Sequence, residues 1–337
     1  MPVRAVIFLV WAGLLLPVSA LWAAHGPLGL NEIQVLGSHN SYKLAMAAEN
    51  FLALKARNPA TAEALEYTHR PLTEQLDLGL RKLELDVFYD PDGSRFPGRT
   101  VHSGSRFPVL HVQNLDDRAS CPDLLTCLGE IAAWSAAHPT HVPIFISFNA
   151  KDEVIDQPGF LLPLAFDEDA WLAMDAEIRA VLGERLIEPR TVVRDGGPVW
   201  PPLDEVRGRF VTILDESGSK RASYAGRWAE RAMFANLPEN EAGAAILVVN
   251  DPLTDFERIQ RLVRSGYVVR TRADADTREA RTGETNRRER AFASGAQLVS
   301  TDYYLPADHF GTDYVVALPG GMRCNPLLRP PACRLTE

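Results

Sequence analysis

The sequence predicts an α/β fold whose parallel sheet closes into a barrel. Apolar runs stop abruptly in polar residues, most of them are followed by helical periodicity, and eight can be counted. The alternation argues for a parallel sheet with crossover helices, and the number eight argues for closure. An open doubly wound sheet is the competitor. It would usually bring a glycine-rich nucleotide turn after the first strand, and GSHNSY contains no GxGxxG. No low-complexity linker divides the chain, so a single domain over 25–337 is expected.

The first run, Ile33 to Leu36, breaks at Gly37 and presents Ser38, His39, Asn40 and Ser41. Leu44 to Arg57 has helical periodicity and stops at Asn58-Pro59. Arg81 to Val87 forms the second strand, followed by the turn Asp90-Pro91-Asp92-Gly93. Phe107 to Val112 reads as the third strand, with a helix from Asp123 to Ala137 behind it, and Val142 to Phe148 as the fourth. An excursion from Leu161 to Pro202 carries an amphipathic helix over Glu168 to Leu182. The remaining strands are Arg209 to Leu214, Ala245 to Val249, Gly266 to Arg270 and Ala296 to Ser300. Helical stretches at 227–235, 252–264 and 284–293 separate them.

Composition narrows the compartment and the partners. Residues 1–24 have the form of a secretory signal: Arg4, an apolar run from Ala5 to Leu16, then small residues at a cleavage site. Pro17 interrupts the run before it reaches the ~20 residues of a membrane span. The mature chain is therefore expected outside the cytoplasm, secreted or periplasmic. Cys121 with Cys127 and Cys324 with Cys333 are close in sequence, so two local disulfides are the simple reading in an oxidising compartment. The rival, zinc, would want CxxC spacing or a histidine cluster, and neither is present. A formal charge of −9 and a pI near 5.5 argue against nucleic acid as a partner. No stable protein partner is implied, and a monomer is expected.

In a barrel the carboxyl ends of the strands converge on one face, so polar residues there become neighbours. This would assemble His39 and Asn40 from the first strand, Glu84 and Asp86 from the second, His111 from the third, and Asn149, Lys151 and Asp152 from the fourth. Glu84 and Asp86 alternate, so both side chains point to one side. Facing a packed interior unpaired, each would cost several kcal/mol. The alternative is that they face solvent or pair with Arg81 and Lys82. With Asn40 they make an all-oxygen set suited to Ca²⁺ or Mg²⁺. Lys151 and Arg272 are candidates for phosphate contacts, although Arg272 has Asp274 and Asp276 as ordinary ion-pair partners nearby. Asp302 and Tyr304 fall on the same face without an assigned role. His102 is the alternative to His111, and His25, His69, His138, His141 and His309 read as surface or capping residues.

Together these stretches resemble the bacterial calcium-dependent phosphatidylinositol-specific phospholipase C family, within the barrel phosphodiesterases. The resemblance rests on GSHNSYK (37–43), LELDVF (83–88), PVLH (108–111), HPTHVPIFISFNAKD (138–152), VRTRADADT (269–277) and VSTDYY (299–304), in that order. It implies a distorted TIM (β/α)8 barrel that uses Ca²⁺ to cleave a phosphodiester. His39 and His111 would be catalytic, Asn40, Glu84 and Asp86 metal ligands, and Glu84 also a candidate base. One departure stands out: related enzymes place a glutamate ligand where this chain has Asn149, which keeps an oxygen but loses a charge.

The chemistry expected is attack by a neighbouring hydroxyl on the phosphodiester of phosphatidylinositol or a related phospholipid at a membrane surface. The products would be a cyclic phosphate and diacylglycerol. A cation would lower the hydroxyl pKa and hold a phosphate oxygen, while the histidines would move protons or stabilise charge. Two other functions fit the same residues. One is a glycerophosphodiesterase or phospholipase D-like barrel, and the other an exported barrel that binds a phosphorylated ligand without turnover.

Overall fold

The computed structural model describes residues 26–96 and 103–337. The stretch 1–24, expected to be a signal, and His25 and His102 lie outside them. Among the described residues eight parallel strands run round a distorted barrel: β1 Ile33–Ser38, β2 Lys82–Val87, β3 Ile144–Ala150, β4 Phe210–Leu214, β5 Phe234–Ala235, β6 Ile246–Val248, β7 Val268–Arg272 and β8 Leu298–Thr301. Their spatial order is β5-β4-β3-β2-β1-β8-β7-β6. The ring is irregular at two places. Leu186–Ile187 lines the first half of β4 and β5 its second half. At the seam between β5 and β6 the Val248 N–H goes to the side-chain oxygen of Asn236 (2.9 Å). On the other flank Met322–Cys324 pairs antiparallel with the start of β1, before β2 joins at Gly37.

The register fixes which side chains share the inner face. Gly37 lies beside Lys82, Lys82 beside Phe145, Glu84 beside Ser147 and Asp86 beside Asn149, while Gly37 and Arg272 both lie beside Ser300. Because successive side chains alternate, the inner face falls into layers. The amino-terminal floor is apolar and includes Val35, Phe145, Val211, Phe234, Ile246, Val268 and Leu298. Above it every inner position on β2, β7 and β8 is polar. The outer face of β2, Leu83, Leu85 and Val87, joins Leu124, Leu128 and Ile131 of the helix Leu124–Ala137 in one apolar cluster. Gly37 permits the close approach of β1 to β2, since a Cβ there would sit 2.4 Å from the Lys82 carbonyl oxygen.

Helix ends follow local chemistry. Asp123 accepts from Thr126 N (2.9 Å) and starts Leu124–Ala137, and Asp167 accepts from Ala170 N (3.0 Å) and starts Glu168–Leu182. Both expected disulfides form, Cys121–Cys127 and Cys324–Cys333. No helix among the described residues is long and apolar enough to cross a membrane.

Two expectations fail. Phe107 to Val112 is not a barrel strand. It makes only isolated antiparallel bridges, Val109 with Val87, Pro108 with Asp123 and Val112 with Asp116, and folds over the end of β2. Pro108 lacks the N–H that a central parallel strand would use. The stretch 227–235 is not a helix either: it is a short turn, Trp228–Glu230, followed by β5, and the helix comes earlier, at Gly218–Ala225.

Candidate active site

The polar layer begins with the alternation of β2. Lys82, Glu84 and Asp86 all face inward and all are buried. Every oxygen of the two carboxylates is taken. Glu84 Oε2 accepts from Lys82 Nζ and from Arg270 Nη2 (2.8 Å), while Oε1 accepts from Asn149 Nδ2 (3.3 Å). Asp86 Oδ1 accepts from the same Asn149 nitrogen (3.3 Å), and Lys151 Nζ lies 3.4 Å from Oδ2. Burial alone would raise the Glu84 carboxyl. The charges of Lys82, Arg270 and His39 overcome it and hold it well below the usual carboxylate range. Lys82 is pushed down to about 8, first by burial, against the pull of Glu84. Burial opposes the Lys151 charge too, but Asp86 outweighs it and raises the ammonium.

His39 continues the line of β1 into the mouth. Its Nδ1 lies 3.0 Å from Asp302 Oδ1, and its Nε2 lies 3.6 Å from Glu84 Oε1 and 3.5 Å from Arg272 Nη1. Arg272 Nη2 in turn donates to Asp302 Oδ2 (3.0 Å). The partner of Arg272 is thus Asp302, at the end of the neighbouring strand β8, and not Asp274 or Asp276. Burial and the Arg272 charge lower the His39 pKa despite the two carboxylates. Asp302 is held well below the carboxylate range because His39 and Arg272 outweigh its burial. Asn40 has φ +45°, a left-handed conformation that asparagine tolerates, and its amide nitrogen donates to Tyr67 Oη (2.8 Å).

His111 belongs to the flap over β2, whose Leu110 N–H reaches Asp86 O (3.3 Å). Its Nδ1 pairs with Asp116 Oδ2 (2.8 Å), and Asp116 Oδ1 lies 3.2 Å from the buried Lys43. The flap is therefore tied to the first motif through a buried ion pair. Two histidine–carboxylate pairs result, His39–Asp302 and His111–Asp116.

The structure brings His39, Glu84, Asp86, Asn149, Lys151 and Arg272 into one connected network. Asp152 does not join it, because it pairs with Lys220 (3.0 Å). Three residues the sequence reading left without a site role belong to the same network, Lys82, Arg270 and Asp302, and a fourth, Asp116, orients His111 on the flap. Arg270 and Arg272 alternate along β7 as Glu84 and Asp86 alternate along β2, and that period was the available signal. His69 and His141 are buried, not surface residues. His69 Nε2 bonds the His39 carbonyl oxygen (2.7 Å) and stacks on Tyr304.

Behind Asp302 sits Asp274, buried, accepting from Thr301 Oγ1 and from the Asp302 N–H (2.9 Å). Burial, then the charge of Asp302, push its carboxyl up to about 7. A carboxyl raised in the folded state favours folding at acid pH, and that contribution is lost as pH climbs from the unfolded value near ~4 to about 7. Asp274→Asn is therefore expected to gain on the native chain, in thermal melts, between pH 5 and pH 8. A difference in melting temperature that stays constant over that span would contradict it.

The histidine–carboxylate network stands at the strand ends of a distorted parallel β/α barrel, the face on which barrels of this class carry their functional residues. The family profile described as "Phosphoinositide phospholipase C, Ca2+-dependent" matches residues 28–326, and the chain belongs to that family. Among solved structures, a calcium-dependent phosphoinositol-specific phospholipase C from Pseudomonas sp. aligns over 88% of this chain and 95% of its own. The TM-score is 0.55 at 17% identity. The corresponding Ca²⁺-dependent enzyme of Streptomyces antibioticus aligns over 86% and 100%, with TM-score 0.53 and 18% identity. At these identities the likeness concerns the fold. Two curated sequences from Mycobacterium tuberculosis strains, both uncharacterized proteins, are 30% identical over 190 residues, 55% of this chain. The chain spans about a third of their length (34%).

The divalent ion that the family description implies can be tested against these donors. Ca²⁺ takes ~6–8 oxygens at ~2.3–2.6 Å. Among the described residues no group of three or more acidic, histidine or cysteine side chains converges as a metal site. The two carboxylates that would anchor an ion are already bonded to Lys82, Arg270, Lys151 and the Asn149 amide. In this arrangement the residues do not fit the ion.

Proposed function

We propose that the chain is an exported phosphodiesterase that cleaves phosphatidylinositol, or a closely related inositol phospholipid, by attack of the neighbouring ring hydroxyl on phosphorus. The observation that carries this is the His39 imidazole, gripped at Nδ1 by Asp302 and open at Nε2 beside Arg272 at the barrel mouth. A carboxylate on Nδ1 holds the tautomer whose Nε2 accepts a proton, so His39 takes the proton of the attacking hydroxyl. His111, oriented by Asp116, returns a proton to the departing diacylglycerol oxygen. The P–O bond to the ring forms as the bond to the glycerol oxygen breaks, giving a cyclic phosphate and a free alcohol. Arg272 and Lys151, part-exposed at the mouth, meet the phosphate oxygens. Glu84, sequestered by two cations and held ionised, is a poor base, and it serves to position Lys82 and Arg270.

The setting supports an interfacial substrate and an exported enzyme. Leu161 and Leu162 are exposed on a loop that Gln113, two residues beyond His111, holds through Leu161 N (2.9 Å) and Leu161 O (3.1 Å). The two disulfides suit an oxidising compartment. The test is incubation with phosphatidylinositol vesicles, with ³¹P NMR of the soluble product. A cyclic inositol phosphate is expected. Glycerol phosphate would indicate the glycerophosphodiesterase chemistry instead, and ligand binding with no product would leave a non-catalytic barrel.

A further inference from the structure

We propose that this centre carries its positive charge in its own side chains and works without a divalent ion: Lys82 and Arg270 compensate Glu84 from within the barrel, and Lys151 compensates Asp86 from its rim. The inference rests on the site reading above and sharpens it. Lys82 and Arg270 flank the same carboxylate oxygen of Glu84. Their side chains are 0% and 3% exposed, so neither can be drawn out to solvent as a lone surface lysine could. Arg270 is fixed on every nitrogen: Nε donates to Ser300 Oγ (3.1 Å), Nη1 to Asn250 Oδ1, with Asp215 Oδ2 at 3.6 Å, and Nη2 to Glu84. The stem of Lys82 lies under Gly37, where β1 comes too close for even a Cβ. On the other carboxylate Lys151 takes one oxygen of Asp86 and Asn149 the other.

An entering Ca²⁺ would have to displace two buried cations and turn the Asn149 amide, and it would meet like charge while doing so. The resident cations also offset the charge of the acidic inner layer, so that an anionic phosphodiester can approach Arg272 and Lys151 at the rim. Lys82 and Arg270 are too deep to touch substrate. They are positioning residues, and the readout that separates them from mere scaffold is dependence on Ca²⁺.

Isothermal titration of the metal-free native protein with CaCl₂ decides the point apart from turnover. Binding weaker than ~10⁻³ M, the loose end of extracellular calcium sites, is expected. Vesicle hydrolysis is expected to be the same in EGTA as in Ca²⁺. Lys82→Gln with Asn149→Glu, which removes one resident charge and adds a ligand carboxylate, is expected to bind Ca²⁺ on the order of tenfold or more tighter than the native chain. Saturable micromolar Ca²⁺ binding by the native protein, or hydrolysis that stops in EGTA and returns with Ca²⁺, overturns the proposal. Absence of hydrolysis in both media would refute the enzymatic reading instead, and the titration would still decide this one.

Discussion

His39→Ala is expected to lower the hydrolysis of phosphatidylinositol on the order of 10²–10⁴-fold, the usual span for a proton-transfer group, while the barrel stays folded. The side chain is 19% exposed at the end of a strand and belongs to none of the apolar clusters that hold the barrel together. Asp302 keeps Arg272 at 3.0 Å and is not stranded. His111→Ala should cost a similar factor, and the two losses can be told apart by the leaving group. The proposed acid matters only as far as the departing oxygen needs a proton. A p-nitrophenyl ester of inositol phosphate, whose leaving group departs as an anion, should restore most of the rate to His111→Ala and little to His39→Ala. Rescue of His39→Ala alone would reverse the two roles. No effect of His39→Ala on either substrate would remove the imidazole from the mechanism.

What was legible in the sequence divides along the range of the interaction that decides each feature. The helix Glu168–Leu182 came out with its predicted bounds because an acidic start and its own periodicity specify it locally. Phe107 to Val112 has the composition of a strand, but it lies across the end of β2 because Pro108 and the Asp123 side of the loop hold it there, and hydropathy does not report that. β5 is two residues long and offers no run to detect. The site shows the same division. His39, Glu84 and Asp86 stood out because polar groups interrupt apolar strands. Arg270 faces inward on β7 and Asp302 follows the end of β8, yet the partners they meet on the first two strands, Glu84 and His39, are more than 180 residues away in sequence. Period two places them on a face; only the register between strands says what they meet. For Glu84 the structure shows the ion pair with Lys82 that the sequence offered as the alternative, and that pair is itself part of the inner layer.

That double role makes Glu84 the residue whose loss should be felt most in the fold. Glu84→Gln keeps the volume but removes the charge facing Lys82 and Arg270, and breaking one side of a buried ion pair costs ~3–5 kcal/mol. The two cations are not equally exposed to the loss. Arg270 retains Ser300, Asn250 and a carboxylate, Asp215, at 3.6 Å, whereas Lys82 is left with the Ser38 carbonyl oxygen at 3.3 Å. Most of the penalty therefore belongs to the stranded ammonium. Removing it as well, in Lys82→Met with Glu84→Gln, should recover a large part of the urea midpoint that Glu84→Gln alone forfeits. The pair would then show a coupling energy in a double-mutant cycle instead of additive losses. Additive losses would mean that Lys82 and Glu84 do not neutralise one another, and the account of a self-compensated barrel interior would fail with them.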